Sequence, residues 1–238
     1  MKPRRFGIVL GLALLMPPGP VSGAAPAGVV SQLGGNAIAE VIQADGSRRK
    51  IARGDSVFEG ERVVTGSGSS VEISFGDESR FHLGPDAEMA VDKFVFRAAK
   101  EEEALHTRVL KGAFRFVTGL VAMTRPANVR VNIAVATIGL RGTQILGEVK
   151  PRHEKDGRTV DASAQVMLQE SDEGPTSIVV ANAFGSVVID KPGYGTEIPD
   201  EKSPPSAVRR MQLRTVENVL RSIRSAIRHG NTGRPRPR

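Results

Sequence analysis

The chain has 238 residues, 39% hydrophobic and 25% charged, which is typical of a globular protein with one medium-sized domain and appendages. It contains no cysteine, and this excludes disulfides, thiolate nucleophiles, cysteine metal ligands and an acylated-cysteine membrane anchor. Aromatic residues make up 4% of the chain, too few for the aromatic platforms that stack on sugars or nucleic-acid bases.

The formal net charge of +7 is distributed unevenly along the sequence. The first 27 residues carry three positive charges, and residues 205–238 carry nine arginines and one glutamate. Residues 28–204, which lie between them, have a net charge of −4. The basic character therefore belongs to the C-terminal segment, and charge gives no reason to expect a nucleic-acid partner for the domain.

The N-terminal segment has the features of an export signal. Lys2, Arg4 and Arg5 precede an apolar run over residues 6–16, which is followed by prolines and by small residues suited to cleavage. The run has 11 residues, whereas a membrane-spanning helix needs about 20. We predict a signal peptide over residues 1–27 and a periplasmic or secreted mature protein; retention as an uncleaved anchor is the alternative.

Short apolar runs alternate with glycine-centred turns between residues 28 and 204. Residues 71–75 (VEISF) and 129–135 (VRVNIAV) alternate with a period of two, as strands with one buried face do. Turn residues recur every 6–12 positions, which predicts an all-β sandwich, barrel or solenoid. No fixed-period repeat is present, and this argues against a long regular solenoid.

A polar segment, residues 150–162, interrupts this pattern. We predict that it is a mobile loop between a larger β domain, residues 28–149, and a smaller β extension, residues 163–204. The apolar residues of the segment that follows recur at steps of three and four, which predicts a basic amphipathic helix over residues 205–229. The remaining residues, 230–238, are rich in arginine and proline and are expected to be disordered.

The polar face of this predicted helix is a possible interaction face. Three uses of the helix are open: packing of its apolar side on the β domain, insertion into the groove of a partner protein, or binding to an anionic membrane or polymer surface. The arginines of this face are Arg209, Arg210, Arg214, Arg221, Arg224 and Arg228.

The sequence contains no recognisable catalytic or metal-binding arrangement. The four histidines lie far apart, without a second ligand at metal-binding spacing. The acid pairs Glu59/Glu61 and Asp77/Glu78 flank turns, where solvated carboxylates are ordinary. We expect neither enzymatic activity nor a bound cofactor or metal. The histidines are His82, His106, His153 and His229.

A series of short motifs follows between residues 45 and 147. The motifs are IARGD (51–55), GERVVTG (60–66), VEISFGD (71–77), FHLGPDA (81–87), GAFRFVTG (112–119) and VATIGLRGT (135–143). In this order they resemble the FecR-domain family, whose last motif reads V-A-T-I-G-I-R-G-T. The resemblance implies an all-β periplasmic domain, either β-helix-like or sandwich-like.

The last motif is interpreted as structural. We expect Ile138 and Leu140 to lie on the face opposite Arg141, whose guanidinium would bind carbonyls or a buried carboxylate. Glycines at 139 and 142 would allow a tight crossing of chains. The family-motif residues are Thr137, Gly139, Arg141, Gly142 and Thr143.

The best-known FecR relatives lie in the inner membrane and relay the occupancy of an outer-membrane transporter to a sigma factor. Here only 27 residues precede the β domain, so we expect a stand-alone exported type without the cytoplasmic anti-sigma region. The complete expectation is a mainly β, FecR-type domain with a C-terminal amphipathic α-helix. It would act in protein interaction or envelope signal sensing with an envelope protein as partner; the alternative is a module that binds an anionic cell-envelope polymer or membrane surface through the arginine-rich helix.

Overall fold

The computed structural model describes residues 25–96, 102–155, 158–169 and 176–212, and within these ranges the fold is mainly β. Of the described strands, 17 form one hydrogen-bonded network that is folded into two layers, and the other two form a separate hairpin. In the described ranges, every pairing between strands is antiparallel except that of β9 (Ala104–Val117) with β10 (Val129–Ile133), which is parallel.

Layer A has the strand order β4-β1-β6-β7-β9-β12-β15-β18-β19. Its strands besides β9 are β1 (Gly28–Gly35), β4 (Ser56–Val57), β6 (Ser69–Phe75), β7 (Arg80–Leu83), β12 (Gln144–Lys150), β15 (Ser163–Gln169), β18 (Tyr194–Ile198) and β19 (Arg209–Arg210).

Layer B has the strand order β3-β2-β5-β8-β9-β10-β11-β16-β17. Its strands besides β9 and β10 are β2 (Ala39–Ile42), β3 (Arg48–Lys50), β5 (Arg62–Thr65), β8 (Glu88–Val95), β11 (Ala136–Arg141), β16 (Ser177–Asn182) and β17 (Gly185–Ile189).

Strand β9 belongs to both layers. Its first part pairs with β8 and β10 in layer B, and its second part pairs with β7 and β12 in layer A. The change occurs at Gly112, whose φ of 92° is in the region that favours glycine. A side chain there would also contact Ala87, because a Cβ at residue 112 would lie 2.5 Å from the Ala87 Cβ.

The core lies between the layers and combines buried residues of both. Alternate residues of β10, β11 and β15 are buried, which is why these segments show a two-residue period in the sequence. Three fully buried rings, Phe81, Phe114 and Phe116, are in contact in layer A, with centroids 5.7 Å and 5.3 Å from Phe81. Burial of each such side chain contributes roughly 1.5–3 kcal/mol.

The prediction of a mainly β fold is confirmed, and its arrangement is that of a two-layer sandwich. Residues 71–75 lie in β6, and residues 129–133 form β10, which ends before residues 134–135 of the predicted alternation because these form a turn. Two short helical elements follow β9 and precede β10. They are α1 (Leu120–Thr124) and a 3-10 turn (Pro126–Asn128).

The predicted C-terminal helix is wrong where the structure describes its first residues. Residues 205–212 form no helix, and β19 within them pairs with β18. The Ser206 N–H donates to the Glu197 carbonyl at 2.9 Å, and the Met211 N–H donates to the Gly193 carbonyl at the same distance. The edge of β18 thus takes the backbone bonds that a helix would have made internally. Residues 213–238, like the first 24 residues, lie outside the described part of the chain.

Residues 150–162, predicted as a mobile loop, include a short hairpin of β13 (His153–Lys155) and β14 (Arg158–Val160). This hairpin lies between β12 and β15, which pair directly from Gln144↔Gln169 to Lys150↔Ser163. The strands after residue 163 join the same two layers as those before residue 149. Among the described residues, no helix has the length and apolar character needed to cross a membrane.

Candidate interaction surface

The outward side of β11 carries three of the family-motif residues. Thr137 and Arg141 are exposed and Gly139 is half-buried, whereas Ile138 and Leu140 point into the core. This is the orientation expected from the alternation. Thr137 also makes a cross-strand hydrogen bond, because its Oγ1 donates to the Asn132 Oδ1 at 3.0 Å.

The last two motif residues lie where the chain passes from layer B to layer A. Gly142 has φ +54°, a left-handed conformation that favours glycine. Thr143 is buried, and its N–H donates to the Thr118 Oγ1 at 2.8 Å, while the Thr118 N–H donates to the Thr143 carbonyl at 3.0 Å. These bonds tie the start of β12 to the end of β9.

Two expectations for this motif are wrong. No atom lies within 4 Å of a Cβ built at either Gly139 or Gly142, so the close crossing of chains is absent at both positions. Within the described residues, Arg141 makes no hydrogen bond or ion pair, so it anchors neither a carbonyl nor a carboxylate. Its side chain instead extends from the outer face of layer B.

Gly139 lies in a row of outward-facing residues that crosses four strands. In register, Arg130 of β10 is opposite Gly139, Gly139 is opposite Val179 of β16, and Val179 is opposite Val188 of β17. Val179 is 42% exposed and Val188 is 61% exposed, although both are β-branched residues in regular strands. The row therefore changes from cationic to apolar toward the β17 side of the layer.

The cationic end of the row continues onto β8 and β9. His106 is paired in register with Lys93 on one side and Arg130 on the other. Burial lowers the pKa of His106, and the charges of Arg130 and Lys93 lower it further, against a smaller opposing effect of Asp92. Asp92 itself is bound by Arg108 through two hydrogen bonds, of 2.5 Å and 3.2 Å.

We define the outer cationic-apolar face by Lys93, Arg130, Arg141, Val179 and Val188. In the described part of the chain, its three cations have no carboxylate partner; Arg130 donates only to the Ala127 carbonyl, at 3.4 Å. The residues 28–204 that contain this face have a net charge of −4. Three cations without carboxylate partners among the described residues therefore lie on one face of an acidic domain.

The C-terminal arginines fall into two groups. Arg209 forms an ion pair with Glu197 at 2.7 Å and Arg210 is exposed, both in β19 rather than in a helix. The other four predicted interaction residues lie outside the described residues. They are Arg214, Arg221, Arg224 and Arg228.

Two acids expected to be solvated are buried. The Asp77 carboxylate accepts bonds from the Ser79 hydroxyl at 2.8 Å and the Val121 N–H at 3.4 Å, at the start of α1. Glu61 accepts two bonds from Arg49, the shorter 3.1 Å long, and one from the Phe58 N–H at 2.9 Å. Both therefore hold turns together.

A buried histidine lies in layer A. The His82 Nδ1 is 3.3 Å from Glu72 Oε2, while its Nε2 has no hydrogen-bond partner among the residues that the structure describes. Glu72 also accepts from the Ser31 hydroxyl at 2.8 Å. The hydrogen bond with His82 lowers the pKa of Glu72, assisted by Ser31 and opposed by burial. The sequence placed His82 on a strand but gave no signal of its burial.

The depressions of the described surface are open. One of about 430 Å³ is lined by Arg62, Asp92 and Arg108, whose charged groups already form ion pairs within the sheet. No cluster of three or more potential metal ligands occurs among the described residues.

One of the three comparisons with known proteins identifies a family. Residues 61–167 match the family model described as FecR protein. A search of the curated proteins gave no match. Among solved structures, the chain is similar to a candidate anti-sigma factor from Parabacteroides distasonis, with 11% identity, a TM-score of 0.48, and coverage of 71% of this chain and 72% of that one. The family match includes β5 to most of β15 and the motif of β11. Residues 61–167 of this chain are a FecR domain.

Proposed function

We propose that this chain is a non-enzymatic, periplasmic FecR-domain protein that takes part in envelope signalling through contacts with another protein. The observation that carries the proposal is the FecR match over residues 61–167. The export features of residues 1–27 support the location, since basic residues precede a short apolar run there.

The outer cationic-apolar face supports a binding role. Surfaces that recognise proteins combine exposed apolar residues with charges that select the partner. Val179 and Val188 provide the exposed apolar residues. Arg130 and Arg141 provide the charges, since they lack carboxylate partners among the described residues. Such a face does not require a deep cleft.

The location is tested by fractionating cells that express the full chain with a C-terminal epitope tag. We expect the tagged protein in the periplasmic fraction, shortened by the signal segment. Recovery in the cytoplasm at full length would contradict the proposal.

The binding role is tested in the same cells with a photocrosslinking amino acid placed at Val188. We expect one discrete crosslinked product in the envelope, and no such product from a control crosslinker at Val29, an exposed valine of layer A. Equal products from both positions would indicate unspecific proximity and would contradict a binding role for this face.

A second candidate function rests on the nine arginines of residues 205–238. In this alternative the C-terminal segment binds an anionic envelope polymer or membrane surface. Binding of that kind weakens steeply with salt because it depends on screened charges. A loss of envelope association between about 0.05 and 0.5 M salt would favour it, as would its loss on deletion of residues 213–238.

A further inference from the structure

The last strand of layer B differs from the strands at the other ends of the layers. β3 has three residues, all basic, while β4 and β19 have two residues each, and those of β19 are both arginine. Short length and charge are the usual means by which proteins protect a strand edge from further pairing. β17 has five residues (GSVVI), none charged and none proline, so it has neither protection.

The free edge of β17 presents unpaired backbone groups. The hairpin register pairs Asn182 with Gly185 across a two-residue turn, and Val180 with Val187. Because hydrogen-bonded pairs alternate along an antiparallel ladder, the N–H and C=O groups of Ser186 and Val188 point away from β16. In the described part of the chain these groups have no hydrogen-bond partner.

The surroundings of the edge specify which side chains would suit it. Pro204 lies beside Gly185 at the turn end of the strand. The outward neighbours are Val188 and, one strand further in, Val179, which together offer an aliphatic contact. Phe184 in the turn is 54% exposed and extends this apolar strip.

The charges near the edge favour an acidic occupant. Arg141 and Arg130 lie on the same outer face, two and three strands from β17, without carboxylate partners among the described residues. Asp190 and Lys191, which directly follow β17, carry opposite charges. A second copy of this chain would bring the same cations, and five residues of strand pairing offer far less than the roughly 1,200 Å² of a stable interface.

From these observations we infer that β17 is the docking edge for an extended segment of a partner protein, acidic with alternating aliphatic residues, which adds to layer B as a further strand. This inference rests on the proposed function and names the surface and the kind of partner. Backbone pairing supplies affinity, and the valines and cations select the side chains. At about 3.3 Å per residue, the edge accommodates a segment of five or six residues.

The inference is tested with a labelled synthetic peptide, acetyl-EVEVEVE-amide, titrated into the purified protein and followed by fluorescence anisotropy. Its first control is the same peptide with alternate backbone amides N-methylated, which cannot pair with an edge. Its second control is KVKVKVK, which has the opposite charge. We expect each control to bind at least about tenfold more weakly, since each lacks either the backbone bonds or the favourable charge.

The matching protein variant is Val188→Pro. The Val188 N–H makes no bond within the hairpin, and proline is tolerated in an edge strand at such a position, so the fold should persist. We expect about a tenfold loss of EVEVEVE binding, whereas Val29→Ser, at an exposed valine of layer A, should bind like the wild type. Val179→Ser provides a second variant that leaves the backbone unchanged and should also weaken binding.

Three outcomes would overturn the inference. These are unchanged binding by both Val188→Pro and Val179→Ser, equal binding of a peptide of seven glutamates, and a dimer of the wild type in sedimentation that Val188→Pro dissociates. Equal binding of the seven-glutamate peptide would show that charge alone suffices, as for an anionic polymer. A dimer that Val188→Pro dissociates would identify a second copy of this chain as the occupant. A periplasmic location with crosslinks elsewhere on the protein would leave the proposed function intact while this docking edge is rejected.

Discussion

Replacing Gly112 by alanine tests the junction at which β9 passes between the layers. A φ of 92° costs an L-residue about 1–2 kcal/mol relative to glycine. The new Cβ would also lie 2.5 Å from the Ala87 Cβ and 2.6 Å from its Cα, so the backbone of residue 87 must move. Overpacking of this kind costs about 1–3 kcal/mol. We therefore expect Gly112→Ala to lower the free energy of unfolding by about 2–5 kcal/mol.

Gly46→Ala is the matched control. Gly46 has φ +84°, and no atom lies within 4 Å of its Cβ position, so only the conformational cost of about 1–2 kcal/mol applies. Both changes restrict the unfolded chain equally, so the difference between them isolates the packing contribution. The assay is urea unfolding followed by far-ultraviolet circular dichroism, because the chain has no tryptophan. If Gly112→Ala costs no more than Gly46→Ala at equal m-values, the reasoning about the junction is wrong.

Asp77→Ala should lower the free energy of unfolding by about 2–4 kcal/mol, since it leaves the N–H and hydroxyl donors around a buried carboxylate unpaired; a loss below about 0.5 kcal/mol in urea would contradict this. Glu78 has φ +69° and is exposed, so Glu78→Gly should raise that free energy by up to about 1 kcal/mol, and a decrease would show that its backbone is not strained. The pKa of Glu72 is lowered chiefly by its hydrogen bond with His82. The stability that this contributes is present above the ordinary pKa of 4.5 and is lost as the pH falls through the folded-state pKa. Between about pH 7 and 3, the urea midpoint of Glu72→Gln should therefore fall less than that of the wild type. The pKa of His106 is also lowered, by its burial and by nearby cations, so its contribution to the free energy of unfolding is present above pH 6.5 and lost below it. Identical dependence of the urea midpoint on pH in the wild type and in His106→Gln, between about pH 8 and 5, would contradict this.

The strands of the core were predictable because their sequence period records burial on one side. Residues 71–75 and Ile138 to Leu140 lie on the strands and faces that alternation indicated. The FecR motifs were predictable for a related reason, since they mark the turns and layer crossings. Gly142 is an example, because its positive φ restricts the position to few residue types.

The partners of each strand were not predictable from local pattern. β9 pairs with four strands, and its neighbour β10 runs parallel to it after the short helical elements. The same limitation explains the wrong helix at residues 205–212. Its three- and four-residue spacing is real, but the free edge of β18 provides backbone partners that a sequence window does not contain.

The binding features were the hardest to foresee. Arg141 was expected to bind a carbonyl or carboxylate, because its planar guanidinium suits such groups, yet it is exposed at the surface. Val188 lies in a short β-branched run that gives no sign of exposure in the sequence. It faces outward opposite Val179, and that arrangement depends on the strand order of layer B.

The sharing of β9 between the two layers affects how the protein unfolds. Since the strand supplies the central hydrogen bonds of both layers, neither can separate from the other without breaking bonds along its length. We expect the two layers to melt as one cooperative unit, with the amides of Leu105 to Phe116 among the slowest to exchange with solvent. Folding must also bring together strands that are far apart in the sequence. We therefore expect most of the stability to form late, once β12 has paired with β9.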